Sequence, residues 1–142
     1  MFEVSATHNL RAAGTVLLQN QFYGLACTRR DGETLVAFSH ERSVSLQRFA
    51  SLPLRLEPLA SVDFTKLVSL LFREDLLLIA HGNRCIFQNA ITSLHVSGNE
   101  FTERQVLLDA EAGVGVDAWA LVGDRLVLWD LQSKALQVYD FA

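Results

Sequence analysis

Residues 113–118, with the sequence GVGVDA, match the letters of the G-x-G-x-x-A motif that binds dinucleotides. That motif works where a strand precedes the glycines and a helix follows them, because the pyrophosphate binds at the helix N-terminus. The residues that follow here, Val116 to Val122, have the apolar pattern of a strand. We therefore interpret the segment as a connection between structural units, and we predict no cofactor.

Metal-binding side chains are present but are not spaced as ligands. The histidines are His8, His40, His81 and His95. None of them forms the H-x-x-x-H or H-x-E pattern of a zinc site. Cys27 and Cys85 are far apart and lie in apolar, strand-like surroundings, where a free cysteine is usually a small buried side chain. The sequence therefore predicts no metal site and no disulfide framework.

Nucleophilic catalysis has no local signature either. The chain lacks the G-x-S-x-G turn that presents a nucleophilic serine. The acidic pair Glu74-Asp75 stands between two apolar runs, in an apparent hairpin turn where carboxylates are usually solvated. We expect a protein that is not an enzyme.

Composition narrows the class of protein further. The chain has 142 residues, 50% of them hydrophobic, and a formal net charge of −4, so it can bury the core of one domain and is a poor match for nucleic acid. The N-terminus has no signal-peptide pattern, and the most apolar segment, Leu67 to Ala80, is interrupted by charged residues. We expect an intracellular protein, cytoplasmic or nuclear, with no membrane insertion.

The elements that would position these side chains are short strands. Apolar runs of four to eight residues alternate with turn residues such as Asp31-Gly32, which favours an all-β antiparallel fold. A short helix over Val106 to Ala112 is the competing interpretation for one Leu-rich part. The predicted strands are Phe22 to Arg29, Thr34 to Ser39, Ser43 to Phe49, Leu67 to Phe72, Leu76 to Ala80, Arg84 to Gln88, Ile91 to Ser97, Phe101 to Leu108, Val116 to Val122, Arg125 to Asp130 and Ala135 to Phe141.

Three segments of the chain can be aligned with one another. They begin at Leu35, Leu76 and Leu126, which are 41 and 50 residues apart. Each consists of a strand, a polar turn, a basic residue and a second strand, and each follows another apolar strand. A period of about 40–50 residues with four strands per unit is the spacing of propeller blades.

In this respect the chain resembles β-propeller repeats of the WD-repeat type, over roughly residues 14 to 142. In that family the third strand of a blade often ends in Trp-Asp, and Tyr139-Asp140 occupies that place in the third unit. The literal Trp129-Asp130 falls one strand earlier. The family's Gly-His pair is missing, since His81-Gly82 has the reverse order and stands in a different turn.

The resemblance implies antiparallel four-stranded sheets arranged as about three blades, with units at residues 22–64, 65–110 and 114–142. Three blades do not close a ring and would leave exposed sheet edges. The chain is then a single propeller-like domain closed by oligomerisation, part of a longer propeller, or three sheets folded in another way. Residues 14–18 could supply an outer strand to an incomplete blade.

The aligned units predict which side chains are buried. The recurring apolar positions of the second and third strands should form the core. They are Leu35, Phe38, Val44, Leu46, Leu77, Ile79, Ile86, Leu126, Leu128, Leu136 and Val138.

The same alignment places polar side chains at a shared turn. Arg42, Arg84 and Lys134 each follow the turn and open the same strand of their units, and His40 and His81 coincide within it. In a propeller such turns lie on one rim. The simplest interpretation is protection of strand ends by charge. The functional interpretation is a basic rim for an acidic partner segment.

We therefore expect a non-catalytic scaffold for protein–protein interaction, a propeller-like subunit or fragment of a larger intracellular assembly. Its partners would be other proteins, including further copies bound through sheet edges. The alternative is a small hydrolase or ligand-binding β-barrel, with Trp119 or Trp129 lining a pocket.

Overall fold

The chain folds into three antiparallel β-sheets of four, four and three strands, which do not close into a barrel. This computed structural model describes residues 9–18, 24–40, 42–64, 66–83 and 88–141. The all-β prediction is confirmed, and the barrel architecture of the alternative is wrong.

Within each sheet the strands follow one another in chain order, each antiparallel to the one before it. The first sheet contains β1 (Gly24–Arg30), β2 (Glu33–Ser39), β3 (Ser43–Ser51) and β4 (Leu54–Asp63). The second contains β5 (Leu67–Arg73), β6 (Leu76–Asn83), β7 (Gln88–Ser97) and β8 (Glu100–Leu108). The third contains β9 (Val116–Val122), β10 (Arg125–Asp130) and β11 (Ala135–Asp140).

Turn chemistry explains why the hairpins form where they do. The predicted turn at Asp31-Gly32 joins β1 to β2, and both residues have positive φ, 52° and 78°. A two-residue turn with both central residues at positive φ matches the twist of the strands it joins. Aspartate and glycine are among the residues that tolerate this conformation.

Burial of the second sheet on both faces determines how the sheets are stacked. In β6 the side chains of Leu77 and Ile79 pack towards the first sheet, whereas Leu78 and Ala80 pack towards the third. All four are completely buried. Because successive side chains of a strand point to opposite faces, this continuous apolar run requires a layer on each side.

Two apolar cores result. The first lies between the first and second sheets and is formed by Leu35, Ala37, Val44, Leu46, Phe64, Leu67, Leu70, Phe72, Leu77, Ile79, Leu94 and Val96. The second lies between the second and third sheets and is formed by Leu78, Ala80, Ile91, Val114, Val116, Leu126 and Leu128.

The sheets are stacked so that their first strands lie next to one another, and so do the fourth strands of the first two sheets. The first strands β1, β5 and β9 are neighbours along one side of the stack, and the fourth strands β4 and β8 are neighbours along the other. Polar contacts join the turns, since Thr28 Oγ1 donates to the Glu74 carbonyl at 3.1 Å and Arg73 lies 3.9 Å from Asp124.

Strand boundaries depart from the sequence prediction at two places. In the second sheet β7 begins at Gln88, three residues before the predicted strand Ile91 to Ser97, while residues 84–87 of the other predicted strand are outside the described residues. Strand β4 was not predicted; Pro58 obscures its pattern, and the structure places that proline on an edge strand next to a bulge, where its missing N–H is tolerated. The predicted strand Phe101 to Leu108 is confirmed, and of the competing helix over Val106 to Ala112 only a 3₁₀ turn at Ala110–Ala112 is present.

Most predicted core positions are buried, but two are not. The confirmed positions are Leu35, Phe38, Val44, Leu46, Leu77, Ile79, Leu126 and Leu128, whereas Ile86 is outside the described ranges. Leu136 and Val138 are 63% and 55% exposed. The prediction was wrong for these two because β11 turns Gln137 and Tyr139 towards the second sheet, and its alternate residues point outward.

Two further expectations about the early part of the chain need correction or stay open. Cys27 has a free thiol, and its side chain is exposed rather than buried because it points away from the second sheet on the edge strand β1. The other cysteine, Cys85, is outside the described residues. Residues 9–18 form no strand, and Gly14 lies close against Leu54 of β4.

The stacking predicts different costs for two leucines of the third sheet. Leu128→Ala should lower the free energy of unfolding by about 2–5 kcal/mol, because it leaves a cavity in the second core. Leu136→Ala should change it by less than about 0.5 kcal/mol, because that side chain faces away from the core. Urea unfolding followed by circular dichroism measures both. Equal costs for the two variants would contradict the assignment of faces.

Candidate interaction surface

The side of the third sheet that faces away from the second sheet is apolar and exposed. We call it the outer face; it consists of Ala118, Ala120, Val122, Val127, Trp129, Leu136 and Val138. Its larger side chains retain 62% (Val122), 38% (Trp129), 63% (Leu136) and 55% (Val138) of their accessible surface. No described residue covers it as the second sheet covers the opposite side.

Strand register brings these side chains together. Val127 is paired with Val138 on one side and with Ala120 on the other, and Trp129 is paired with Leu136. Directly opposed residues of an antiparallel pair point to the same face and lie about 5 Å apart. The outer face is therefore one contiguous apolar patch rather than a set of scattered side chains.

A charged pair marks one border of this patch. Arg125 Nε donates to Asp140 Oδ1 at 2.8 Å, and both side chains are largely exposed. An apolar centre with a polar border is typical of a surface that binds another protein.

Asp130 fixes the position of the strands that carry the patch. Its carboxylate accepts hydrogen bonds from the backbone amides of Gly115 and Gln132, both at 2.9 Å, and from Ser133 Oγ at 2.7 Å. Burial raises the pKa of Asp130, but these hydrogen bonds outweigh burial, so the pKa lies below its ordinary value. The charged carboxylate thus joins the β10–β11 turn to the segment before β9.

A second side chain attaches that segment to the second sheet. The backbone N–H of Asn89 donates to the Val114 carbonyl at 2.7 Å, and the backbone N–H of Val116 donates to the side-chain oxygen Oδ1 of Asn89 at 2.8 Å. The glycine-rich residues 113–118 thus lead into β9, a strand, and not into the helix that a dinucleotide site requires. Their role here is to connect two sheets.

Of the predicted rim residues, two hold equivalent positions. Arg42 precedes β3 and Lys134 precedes β11, the third strands of their sheets, and both side chains are exposed. Arg84 is outside the described residues. His40 follows β2 in the same turn as Arg42.

His81 does not belong to that rim. It lies within β6 and not in a turn, because β6 continues to Asn83. Its ring meets Phe64 edge-on at 4.8 Å, and Nε2 is hydrogen-bonded to Thr92 Oγ1 at 2.7 Å. Burial lowers the pKa of His81, and the positive charge of Arg104 lowers it further. The structure thus separates His81 from Arg42 and Lys134.

The two tryptophans that the alternative function would place in a pocket lie on opposite sides of the third sheet. Trp119 packs against the second core, and Trp129 lies on the outer face. Across the described ranges, no three His, Cys, Asp or Glu side chains come close enough together to hold a metal ion. In the same ranges no helix has the length and apolar character needed to cross a membrane.

Comparison of the chain with protein-family models, with curated proteins and with solved structures finds no match. The interaction surface therefore rests on the geometry of the chain itself. Sequence reasoning missed the outer face because its strands have the same apolar character as buried ones. One signal was available: in β11, Gln137 alternates with two apolar residues, so the two faces of that strand differ.

Loss of the Asp130 carboxylate should be costly. Asp130→Ala leaves the buried Gly115 amide without its acceptor and should lower the free energy of unfolding by about 2–3 kcal/mol. Asp140→Ala, which removes an exposed ion pair, should cost less than about 1 kcal/mol.

Because the folded pKa is lowered, the contribution of Asp130 to the free energy of unfolding is present above pH 3.8 and is lost as the pH falls below it. Urea unfolding at pH 7 and pH 3 tests both statements, and equal costs at pH 7 would contradict them.

Protonation of His81 should weaken the fold. Its pKa is lowered from 6.5, so the unfolded chain binds the proton more readily, and stability is lost as the pH falls below that value. Thermal unfolding between pH 7.5 and pH 5 should therefore depend less on pH in His81→Gln than in the wild type. An unchanged pH dependence in His81→Gln would contradict this assignment.

Proposed function

We propose that this chain is a non-catalytic module for protein–protein interaction, with its three sheets arranged as blades of a β-propeller. In favour of blades, first strands neighbour first strands, fourth strands neighbour fourth strands, and the sheets pack face to face. Radial repetition of four-stranded sheets is the defining arrangement of propellers. The third unit has three strands in the described chain, one fewer than the other two.

The observation that carries the proposal is the apolar outer face of the third sheet. Trp129, Leu136 and Val138 stand exposed on it, in a contiguous patch with a charged border. Contiguous exposed apolar patches of this kind mark interaction sites, because their burial against a partner releases water from apolar surface.

The occupant of this face is a β-sheet of a neighbouring protein in a larger intracellular assembly, cytoplasmic or nuclear. The third sheet already contacts a sheet on its inner side, so a further sheet on the outer side would continue the same packing. The far end of the stack is less suited to this role. There Val36 and Phe38, on the side of the first sheet away from the second, are already buried at 7% and 9% exposure.

The basic rim is the second candidate surface of the same module. Arg42 and Lys134 are exposed at equivalent turns, and with His40, His81 and Arg84 they formed the predicted site. Acidic partner segments would gain a modest energy from each exposed pair. Because the His81 side chain is hydrogen-bonded to Thr92 within the second sheet, only the residues of the turns remain candidates for this rim.

A single charge on the outer face should abolish the assembly. Leu136→Lys places a charge at the centre of the patch and should reduce recovery of the native assembly from cells at least about tenfold, since burial of an unpaired charge is unfavourable. Leu52→Lys, the same change at a position 93% exposed in the β3–β4 turn, is the matched control and should leave recovery unchanged. Native mass spectrometry of the purified particles measures this.

Two outcomes would decide against the outer face. One is a folded Leu136→Lys protein, with wild-type unfolding temperature, that enters the same assembly. The other is loss of the assembly in an Arg42→Glu, Lys134→Glu double variant while Leu136→Lys retains it, which would assign binding to the rim.

A further inference from the structure

The free edge of β11 is a second incomplete feature of the third sheet, separate from its outer face. In the first two sheets the third strand is paired on both sides, with β4 beside β3 and β8 beside β7. In the described part of the chain, β11 is paired with β10 alone. Every second residue of β11 therefore directs its backbone N–H and C=O groups away from the sheet, where a strand of a partner could bind them.

A groove runs alongside this edge. A cleft of about 390 Å³ lies between the second and third sheets and includes Val106, Leu107 and Leu108 from β8 and Tyr139 from β11. A second, shallower cleft of about 570 Å³ shares Leu108 and Tyr139 with the first and continues to Gln137 and Ser133. Together the two clefts extend along the whole length of β11.

The walls of this groove are unusually apolar for an exposed position. Leu107 is 39% exposed, although it lies in a strand of the second sheet, and Leu108 is only partly buried against the second core. Their exposure has a simple cause. In the stack β4 contacts β8, so a fourth strand of the third sheet would likewise contact β8, and in the described chain that place is open.

We propose that this groove accepts one extended segment of a partner protein, which pairs with β11 in the antiparallel sense and completes the third sheet as its fourth strand. Strand addition to an exposed edge is a general mode of peptide recognition, in which backbone hydrogen bonds give affinity and pockets for alternate side chains give specificity. The inference rests on the proposed interaction function but uses a different surface.

The geometry also determines which kind of occupant fits. Two copies of the chain that paired β11 with β11 in the antiparallel sense would be related by a two-fold axis perpendicular to the sheet. Both second sheets would then lie on the same side, and β7 of the second copy would occupy the place of β8. The groove thus accommodates a single strand and excludes this pairing of two copies.

The chemistry of the segment follows from the two faces that it would extend. Residues that point towards β8 meet Leu107 and Leu108, so they should be apolar. Residues of the opposite parity continue the outer face beside Leu136 and Val138. Strand β11 has six residues, which sets a segment of at least about six residues in extended conformation. Proline at its centre would remove a ladder hydrogen bond and should not be tolerated.

The test uses a synthetic peptide, acetyl-KTVTVTVK-amide, with acetyl-KTVTPTVK-amide as its control. The first peptide should bind, and it should slow hydrogen exchange at residues 135–140, while the proline peptide should bind at least about tenfold more weakly. Leu107→Lys should weaken binding of the first peptide about tenfold. Leu18→Lys, the same substitution at a leucine of equal exposure (39%) outside the groove, should leave its affinity within twofold.

Three results would overturn the groove. They are equal binding of the two peptides, protection of β1 or β9 instead of β11, and an unchanged affinity in Leu107→Lys. Dimerisation of the free chain that is abolished by the peptide would also overturn it, since that result places a second copy at the edge. Because Leu136→Lys lies on the outer face and Leu107→Lys lies in the groove, failure of this inference is distinguishable from failure of the proposed function.

Discussion

Two-sided burial of the second sheet is the constraint on which the rest of the structure depends. Leu77 and Ile79 of β6 need a layer on one side, and Leu78 and Ala80 need a layer on the other. In the first sheet the run Leu35 to Ser39 of β2 is also buried on both faces, but Val36 and Phe38 retain 7% and 9% exposure, whereas the four residues of β6 retain none. Each outer sheet has an apolar inner face that must pack against another layer. Both are held in place by their shared neighbour.

The ends of the stack follow from this constraint. A sheet at the end has one face committed to the core, and its other face must be covered by something else or remain exposed. The outer face of the third sheet remains exposed while retaining the apolar side chains of an interior face. The third sheet is also incomplete beside β11, where Leu107 and Leu108 of the neighbouring β8 line an open cleft. Both features point to completion by a partner.

Local pattern was sufficient to predict most strands and hairpins, but not the faces. Alternation in β11 defines two sets of side chains, Leu136 with Val138 and Gln137 with Tyr139. The more apolar set was expected in the core, and the structure buries the other. Which set is buried depends on the register with β10 and on where the second sheet lies, and both are long-range properties.

The candidate site was less predictable than the fold for the same reason. Asp130 stands in the sequence as one letter of a Trp-Asp pair, and its partner Gly115 is fifteen residues away. The alignment placed His81 in a turn, because the sequence gives no sign that β6 extends three residues beyond Ala80. Arg42 and Lys134 were placed correctly before third strands, since turns are read from local residues.

Hydrogen exchange of the isolated chain tests the central claim most directly, because it reports backbone protection strand by strand. Amides of Leu77 to Ala80 should be the slowest to exchange, opening only with global unfolding. Alternate amides of β11 should exchange orders of magnitude faster, as expected for an edge without a neighbour. Uniform protection of β11 at the level of β6 would show that the third sheet is already complete, and would contradict the account.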